Sequence, residues 1–387
     1  MRPNLAMLRS YLDDLDADGY LVDEDADDPD QRYLSGYDAG DPFVTLVVDD
    51  EIHLLFWGMD YFRSQGDTNA TAVHRPLEYG YDGYGSPEEQ HRVVADLLDD
   101  HGVETVAVPE RFPLGTAADL RTHGIEVVRA DRPIVSEMRG VKTPAEIEQI
   151  TRTARIAEKG MRAAERLVEE AAVVDGELFV DGDPLTGARV KHEIRTTLFE
   201  HGCLLEDPVV SNGRRPLEDF PGAIPAGQTI QIDVAPTHLE TGYCSDMNRT
   251  FVKGDPHEDF RDRYELVKQA LDLAVAEIEP GTTGADVNDL LCAFFEDRGY
   301  ATPRTEDGVD DRVGVPHFMG HGVGLEVHED PVFSPEGGRI DAGYVLAIEP
   351  GLYEPERRGG VIVEDLVHVT ESGCERITDY HRRLVID

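Results

Sequence analysis

The chain has 387 residues, of which 79 are Asp or Glu and only 36 are Lys or Arg, so its formal net charge is −43 at pH 7. Nucleic-acid phosphates bind to basic stripes, and this acidic composition excludes nucleic acid as a partner. Repulsion at this charge density would destabilise a compact fold in dilute buffer, whereas molar salt shortens the Debye length to about 3 Å. The composition therefore predicts a protein from an extreme halophile.

Residues 1–135 alternate strand-like and helical segments, which is typical of an α/β domain. The N-terminal sequence lacks the apolar run of a signal peptide, and no stretch of the chain is long and apolar enough to cross a bilayer. We therefore expect a cytoplasmic protein that does not contact membranes. The predicted helices cover 5–15 and 87–101, and the predicted strands cover 43–48, 52–56, 105–108 and 125–128.

A second domain is predicted over residues 136–387. Near its start, Thr143 and Glu146 form a capping-box pattern with Pro144 at the first helical position, and a long amphipathic helix is expected to follow. Further helices are predicted over 187–201, 260–278 and 285–298. The whole chain is therefore assigned to the α+β class.

The cysteines of the chain form no close pair that would indicate a zinc knuckle or a redox dithiol. Cys244 lies two residues before Asp246, which is a candidate metal ligand, but a buried free thiol is the favoured interpretation. The same interpretation holds for Cys203, Cys292 and Cys374.

Five potential metal ligands lie in separate strand-like or glycine-rich segments of the second domain: Asp233, Asp246, His321, Glu349 and Glu364. Four carboxylates and one imidazole suit a pair of hard to borderline divalent cations. Without cations, four carboxylates packed together would repel one another and be forced to protonate. The segments around the first two aspartates are predicted to form a hairpin, and all five side chains are expected to project from one curved sheet.

The motifs around these positions resemble the creatinase and aminopeptidase P family of metallopeptidases, which includes prolidase and methionine aminopeptidase. Residues 32–37 also resemble the N-terminal domain of creatinase and prolidase. The resemblance implies a pita-bread catalytic domain over 136–387, preceded by a creatinase-like domain over 1–135 with a scaffold role, and a homodimer. The matching motifs are 232–233, 242–246, 249–250, 317, 320–329, 348–351 and 364–365.

Two divalent cations bridged by water or hydroxide are the cofactors that this resemblance implies, with Mn²⁺ as the expected ion and Co²⁺, Zn²⁺ or Fe²⁺ as alternatives. By resemblance, Asp246 and Glu364 bridge the cations, and Asp233 completes the coordination of one of them. His321 and Glu349 complete the other. The pair of cations ionises the water near neutral pH and polarises the scissile carbonyl.

Three side chains are expected from the resemblance to act on the substrate. Glu349 is the candidate that passes on the proton of the water. His317 and His328 fall where the family keeps histidines that bind substrate or stabilise the tetrahedral intermediate.

One departure from the family pattern is a missing histidine in residues 211–219, ahead of the first ligand. A neighbouring group is expected to replace it in part, and the candidates are His238, Glu218 and Asp219. Arg214 and Arg215 could instead bind a substrate carboxylate, although a solvated loop is the favoured interpretation.

A second departure is Ile362, which stands where aminopeptidase P and prolidase relatives carry an arginine. Strand alternation turns this position to the same face as Glu364, so an aliphatic group is expected beside the cations. Both departures concern groups that handle the substrate, and they leave the metal ligands intact.

The sequence predicts a metal-dependent exopeptidase that cleaves after the first residue of a short peptide with proline second. The first alternative is a creatinase-like hydrolase of a non-peptide C–N bond in a small amide or amidine, which the two departures favour. The second is a metal-free peptide-binding module, which retention of all five ligands disfavours. A zincin helix is excluded, because the His328-Glu329 pair is followed by Asp330-Pro331.

Overall fold

The computed structural model describes residues 3–64, 66, 68–81, 86–212, 222–305, 313–354 and 359–386. It divides into two compact units, Met1–Arg139 and Gly140–Asp387. Across the described ranges, no helix combines the length and the apolar character that a membrane span requires.

The N-terminal unit is built on one mixed sheet. Its strands are β1 (Gly19–Glu24), β2 (Phe43–Val48), β3 (Glu51–Leu55), β4 (Ala72–His74), β5 (Thr105–Val108) and β6 (Glu126–Arg129). Its helices are α1 (Ala6–Leu15), α2 (Pro29–Ser35), α3 (Asp60–Arg63), α4 (Pro87–Asp100), α5 (Leu114–Thr122) and α6 (Ile134–Gly140), with a 3₁₀ turn at Pro76–Tyr79. The strand order is β4-β3-β2-β1-β5-β6, with β1 antiparallel to β2 and parallel to β5.

Strand β2 lies in the middle of this sheet and is buried along its whole length. Because successive side chains point to opposite faces of a sheet, its residues divide between two hydrophobic clusters. Phe43 packs in the cluster that contains Leu8 of α1, whereas Val44 packs in the cluster that contains Leu97 of α4. The continuous apolar run of the sequence is therefore explained by helices on both faces.

The second unit opens with the long predicted helix, α7 (Pro144–Glu170). Thr143 accepts a hydrogen bond from the Glu146 backbone N–H at 3.4 Å, and the Glu146 carboxylate accepts one from the Thr143 N–H at 2.7 Å, which completes the predicted capping box. Three more predicted helices are confirmed, with ends within two residues of the predicted ones: α8 (Gly187–Glu200), α9 (Glu258–Glu277) and α10 (Gly284–Glu296).

Two four-stranded sheets organise the second unit, in the orders β11-β12-β14-β21 and β15-β16-β19-β20, with smaller sheets β17-β18, β10-β13 and β7-β8-β9. The strands are β7 (Ala172–Val174), β8 (Glu177–Val180), β9 (Asp183–Pro184), β10 (Cys203–Leu204), β11 (Val209–Asn212), β12 (Ile230–Asp233), β13 (Thr237–His238), β14 (Asn248–Lys253), β15 (Gly320–Gly322), β16 (Val345–Ile348), β17 (Gly351–Glu354), β18 (Gly359–Ile362), β19 (Asp365–Thr370), β20 (Gly373–Arg376) and β21 (Val385–Ile386).

Each four-stranded sheet packs in a hydrophobic cluster with one pair of helices. Ile230 of β12 is buried in the cluster that contains Met161 of α7 and Ile194 of α8. Leu346 of β16 is buried in the cluster that contains residues of α9 and α10, such as Leu291. The unit therefore consists of two halves, each with a sheet and two helices.

The predicted hairpin is confirmed, because β12 pairs antiparallel with β14 and places Asp233 opposite Asn248. The expectation of one curved sheet is wrong, because the described strands near the five candidate ligands belong to three sheets. Pro350 has no N–H to continue the β16 ladder, and the chain pairs anew as β17 with β18. An isolated bridge between Arg249 and Val363 links β14 to the end of β18.

Candidate metal centre

Four of the five candidate ligands lie at or near strand ends, and the fifth, His321, lies within a strand of three residues. Asp233 is the last residue of β12, Asp246 lies two residues before β14, and His321 is the middle residue of β15. Glu349 directly follows β16, and Glu364 lies between β18 and β19. A side chain at a strand end can point past the edge of its sheet, so residues far apart in sequence can converge.

The structure brings all five side chains together. One carboxylate oxygen from each of Asp233, Asp246 and Glu364 lies within 4.8 Å of the others. The Nε2 atom of His321 lies 3.7 Å from Asp246 Oδ2 and 3.6 Å from Glu349 Oε1. Four carboxylates and one imidazole therefore surround a common space.

Burial and mutual repulsion of the carboxylates dominate the electrostatics of this cluster. Burial raises the pKa of Asp233 to about 6, and burial together with the Asp233 charge raises the pKa of Glu349 to about 8. Burial and the neighbouring carboxylates raise the pKa of Asp246 and of Glu364 well above the usual range. Cations in the common space would reverse these shifts, because they stabilise the ionised form.

Buried oxygens without hydrogen-bond partners provide an independent test of whether cations fit this site. Asp246 Oδ1 and Glu364 Oε1 are buried and have no hydrogen-bond partner within the described part of the chain. Buried carboxylate oxygens are costly unless they are hydrogen-bonded or bind a cation. The residues present therefore fit a site for hard to borderline divalent cations.

His321 is oriented as a ligand by its own strand. Its Nδ1 donates to the Gly322 carbonyl at 3.0 Å, which leaves the lone pair of Nε2 directed at the carboxylates. Burial lowers its pKa to about 4, so the ring is neutral. Gly320 permits this placement, because an added Cβ would meet the Phe333 ring at 2.4 Å.

A buried guanidinium fixes the backbone that carries Glu364. Arg249 is fully buried, and it donates to the carbonyls of Asn248, at 2.9 Å, and of Glu364. It also donates to Asp365 Oδ1 at 2.8 Å. Thr250 exchanges two hydrogen bonds of 2.9 Å with the backbone of Ile362, so the chain is held on both sides of Glu364.

Asn248 is a site residue that the sequence analysis missed. Its Nδ2 donates to Asp233 Oδ2 at 3.1 Å, which orients that carboxylate. No local pattern in the sequence identifies it, because its place opposite Asp233 depends on the antiparallel register of β12 and β14.

A cavity of about 420 Å³ opens beside the carboxylate cluster. Apolar side chains form much of its wall, and two of the predicted catalytic residues, His317 and His328, also line it. The lining residues are Asp233, Asn248, His317, Phe318, Gly320, His321, His328, Val332, Glu349, Tyr353 and Ile362.

The two predicted catalytic histidines lie on either side of His321 and Glu349. His317 Nδ1 donates to the Phe318 carbonyl at 2.6 Å, and its buried Nε2 has no hydrogen-bond partner among the residues that the structure describes. The ring of His328 packs edge-on against His321, with ring centroids 4.4 Å apart. His328 also joins the group of possible ligands formed with Asp246 and His321, so it reaches the same centre.

A buried ion pair holds the loop that carries His328. Lys142 Nζ lies 2.7 Å from Glu329 Oε2, and both side chains are almost fully buried. Glu329 also accepts a hydrogen bond from the Leu325 N–H at 3.0 Å. The loop is therefore closed on itself and tied to the start of α7.

One candidate to replace the missing histidine, His238, lies within the described residues, and the others lie outside them. His238 lies on β13, paired with β10, and accepts from the Thr241 N–H at 3.4 Å. It does not belong to the described residues that line the cavity, which argues against His238 as the replacement. The other candidates, Glu218 and Asp219, lie outside the described residues, as do Arg214 and Arg215.

Ile362 and Cys244 have the surroundings that the sequence indicated. Ile362 is buried and lines the cavity together with Asp233 and Glu349. Cys244 is a buried free thiol in a hydrophobic cluster with Ile150, and its Sγ lies 3.3 Å from the Thr237 hydroxyl. Among the described cysteines, Cys203 and Cys292 are also buried free thiols, while Cys374 is half-buried and free.

A two-domain α+β chain with a buried carboxylate and imidazole cluster beside a cavity defines a metal-dependent hydrolase. Residues 148–371 match the model of Metallopeptidase family M24, and residues 5–141 match that of the Creatinase/Prolidase N-terminal domain. The chain belongs to Metallopeptidase family M24.

Relatives with assigned names agree with this membership. The chain is 32% identical to an Xaa-Pro dipeptidase of Pyrococcus furiosus over 65% of this chain and 67% of the relative. It is 25% identical to an Xaa-Pro dipeptidase of Pyrococcus horikoshii over 100% of this chain and 99% of the relative. The structure of the prolidase from Pyrococcus horikoshii OT3 superposes with a TM-score of 0.79 at 24% identity, covering 98% of this chain and 99% of that chain. The likeness confirms the predicted pita-bread domain with a creatinase-like N-terminal domain.

Proposed function

We propose that this protein is an Xaa-Pro-type exopeptidase, an aminopeptidase or dipeptidase that hydrolyses the amide bond between a first residue and a following proline. The observation that carries the proposal is the convergence of four carboxylates and one imidazole beside a cavity of about 420 Å³. The Xaa-Pro dipeptidase relatives support the choice of substrate.

Five residues would hold two divalent cations in this proposal, namely Asp233, Asp246, His321, Glu349 and Glu364. When bound, the cations supply a hydroxide at neutral pH and polarise the substrate carbonyl. The other steps are performed by the side chains of the protein.

Glu349 moves the proton. Its Oε1 lies 3.6 Å from His321 Nε2, on the side of the common space, and its Oε2 lies 4.0 Å from His317 Nδ1, on the side of the cavity. One oxygen can therefore bind a cation while the other accepts the proton of the attacking water. The same carboxyl then delivers that proton to the leaving nitrogen.

His317 and His328 bind the substrate. Because His317 Nδ1 donates to a carbonyl, the neutral ring presents Nε2 as a hydrogen-bond acceptor, and this buried atom accepts from none of the described residues. It is suited to accept from a substrate N–H. His328, packed against His321, is placed to donate to the oxyanion that forms on the carbonyl carbon.

The apolar wall of the cavity suits a proline ring. Phe318, Val332, Tyr353 and Ile362 lie together around the space, and burial of a pyrrolidine against them removes apolar surface from water. Proline has no amide N–H after acylation, so an apolar wall leaves no substrate donor unsatisfied.

A creatinase-like hydrolysis of a non-peptide C–N bond is the second candidate. Ile362 favours this candidate. It lines the cavity, and the family resemblance implies that peptidase relatives carry an arginine at this position. A metal-free peptide-binding module ranks last, because all five candidate ligands are retained.

We further infer the setting in which this activity operates. The net charge of −43 favours a cytoplasmic enzyme of an extreme halophile, and the family resemblance favours a homodimer with Mn²⁺ as the working ion. The domain boundary is assigned near residue 135, and the N-terminal domain serves as a scaffold.

Metal analysis combined with turnover in molar KCl tests the proposal. Purified protein is loaded with Mn²⁺ and assayed against Xaa-Pro dipeptides, Xaa-Pro tripeptides and small cyclic amides. Two metal ions per chain with robust dipeptide or tripeptide turnover support the exopeptidase. Two metal ions with turnover of small amides alone support the second candidate, and absence of bound metal refutes both.

A further inference from the structure

A cluster of three histidines lies in the N-terminal unit. His53 on β3, His74 on β4 and His101 at the end of α4 each place one ring nitrogen within 4.8 Å of the other two. The rings of His53 and His101 have centroids 3.9 Å apart, and those of His74 and His101 are 5.9 Å apart. Three elements of the fold therefore deliver an imidazole to one place.

The fold creates this cluster through strand register and helix length. β3 and β4 run parallel at one edge of the sheet, with His53 opposite Ala72, so His74 lies two residues further along β4. His101 is the C-cap residue of α4, where the exposed carbonyls of the helix end favour positive charge. A cation at this point would be stabilised by the helix dipole as well as by the imidazoles.

The distance between two of the nitrogens matches shared coordination. His53 Nδ1 lies 3.2 Å from His74 Nε2. Two nitrogens bound at 2.0–2.1 Å to one tetrahedral Zn²⁺ are separated by about 3.3 Å. The pair therefore requires little movement to accept a cation between the rings.

A carboxylate lies near the other nitrogen of each member of this pair, just beyond ordinary hydrogen-bond length. His53 Nε2 lies 3.5 Å from Glu51 Oε2, and His74 Nδ1 lies 3.7 Å from Glu78 Oε2. Metal-binding histidines characteristically donate their far N–H to a carboxylate, which orients the ring and fixes its tautomer. Binding would replace the hydrogen bond of 3.2 Å between His53 Nδ1 and His74 Nε2, and each ring would then carry its single proton on the far nitrogen, so no proton is lost.

The burial of the cluster also supports metal binding. The side chain of His53 is 4% exposed, and its buried Nε2 makes no hydrogen bond to any of the described residues. Neutral imidazole is the form that binds metal, and burial disfavours the charged form.

We propose that His53, His74 and His101 form a second metal site, separate from the carboxylate centre, that takes one borderline divalent cation of the Zn²⁺ class. Imidazole ligands suit Zn²⁺, Cu²⁺ and Ni²⁺, whereas a carboxylate-rich centre suits harder ions such as Mn²⁺. The two sites would therefore bind different cations. The bound ion would join β3, β4 and the end of α4, and three protein ligands would leave a fourth position for water.

Equilibrium dialysis with metal analysis tests this site in the full chain. The Asp246→Asn/Glu364→Gln variant weakens the carboxylate centre and serves as the background. In molar KCl with micromolar Zn²⁺, this background is expected to retain one Zn²⁺ per chain, and Mn²⁺ at the same concentration is expected to leave the site empty.

Addition of His101→Ala to the background is expected to abolish this Zn²⁺ binding. The matched control is His123→Ala, which removes an exposed histidine at the C-cap of α5 and is expected to leave Zn²⁺ binding unchanged. Glu78→Gln keeps all three ligands but weakens the orienting acceptor, and it is expected to reduce the affinity about 10–100-fold.

Two binding results would overturn the assignment. One is a background protein that binds no Zn²⁺ although circular dichroism shows that it is folded. The other is Zn²⁺ binding that His101→Ala and His123→Ala affect equally. X-ray absorption of the bound Zn²⁺ provides a second readout, and a first shell without three imidazole nitrogens would also contradict the proposal.

Discussion

In the metal-free protein, the free energy of unfolding should fall as pH rises. Glu349 should account for much of this fall. Its pKa is raised from 4.5 to about 8 by burial and by Asp233. A carboxyl with a raised folded-state pKa binds more protons in the folded than in the unfolded state between these two values, so stability decreases across that window. Below pH 4.5 this contribution is fully present, and above pH 8 it is lost.

The magnitude follows from the size of the shift. At about 1.4 kcal/mol for each tenfold change in proton affinity, the rise from 4.5 to about 8 corresponds to ~5 kcal/mol. For a unit of this size, 1 kcal/mol moves Tm by about 2–4 °C, so the expected decrease between pH 4.5 and pH 8 is on the order of 10 °C. Bound cations should remove the decrease, because they favour the ionised carboxylate.

The assay is thermal unfolding by circular dichroism in 2 M KCl, a concentration chosen to be on the order of the molar salt that screens surface charge. Metal-free protein is compared at several pH values with Mn²⁺-loaded protein and with Glu349→Gln, which keeps the shape of the side chain but cannot ionise. Glu336→Gln, at an exposed position, is the control for loss of one acidic residue. The reasoning is refuted if metal-free wild type and Glu349→Gln lose Tm in parallel as pH rises.

Three further substitutions test individual contacts. Lys142→Met leaves the buried Glu329 carboxylate without its partner at 2.7 Å and should cost about 3–5 kcal/mol of unfolding free energy, measured by denaturant titration. Asn248→Ala removes the hydrogen bond of 3.1 Å to Asp233 and should weaken metal binding about 10–100-fold, measured by competition with a chelating dye. His317→Gln should raise KM for an Xaa-Pro dipeptide about tenfold, the equivalent of one hydrogen bond of about 1.4 kcal/mol, without loss of bound metal.

Each of these expectations has a distinct contrary outcome. The double variant Lys142→Met/Glu329→Gln should be more stable than Lys142→Met, and a double variant that is less stable would show that the pair acts through packing alone. Unchanged metal affinity in Asn248→Ala would remove Asn248 from the site. A fall in kcat with unchanged KM in His317→Gln would assign that ring to chemistry and not to binding.

The sequence was informative about the carboxylate cluster because each ligand has a local signature. Asp233 ends an alternating strand, Glu349 precedes Pro350, and His321 lies between glycines. These signatures locate strand ends, and a side chain at a strand end is free to approach side chains from other sheets. The helix that starts at Pro144 was equally accessible, because its capping box depends only on neighbours three residues apart.

Contacts that depend on long-range register were not accessible from the sequence. The histidine cluster of the N-terminal unit requires the pairing of β3 with β4, which no local pattern specifies. The sequence also did not predict that β16 and β17 belong to different sheets. The apolar run of β16 does not show which strand the following residues will pair with. His238 was proposed for its position between two ligands in sequence, but the chain turns it towards β10.

The burial of Lys142 has a practical consequence for chemical labelling. The chain has only five lysines, all of them in the unit Gly140–Asp387, and Lys142 and Lys191 are buried. Amine-reactive dyes and crosslinkers will therefore find few targets among the lysine side chains, namely Lys159, Lys253 and Lys268, and none of these belongs to the N-terminal unit. Reagents that activate carboxyl groups will react far more densely, so the two chemistries will give very different cross-link maps of the same molecule.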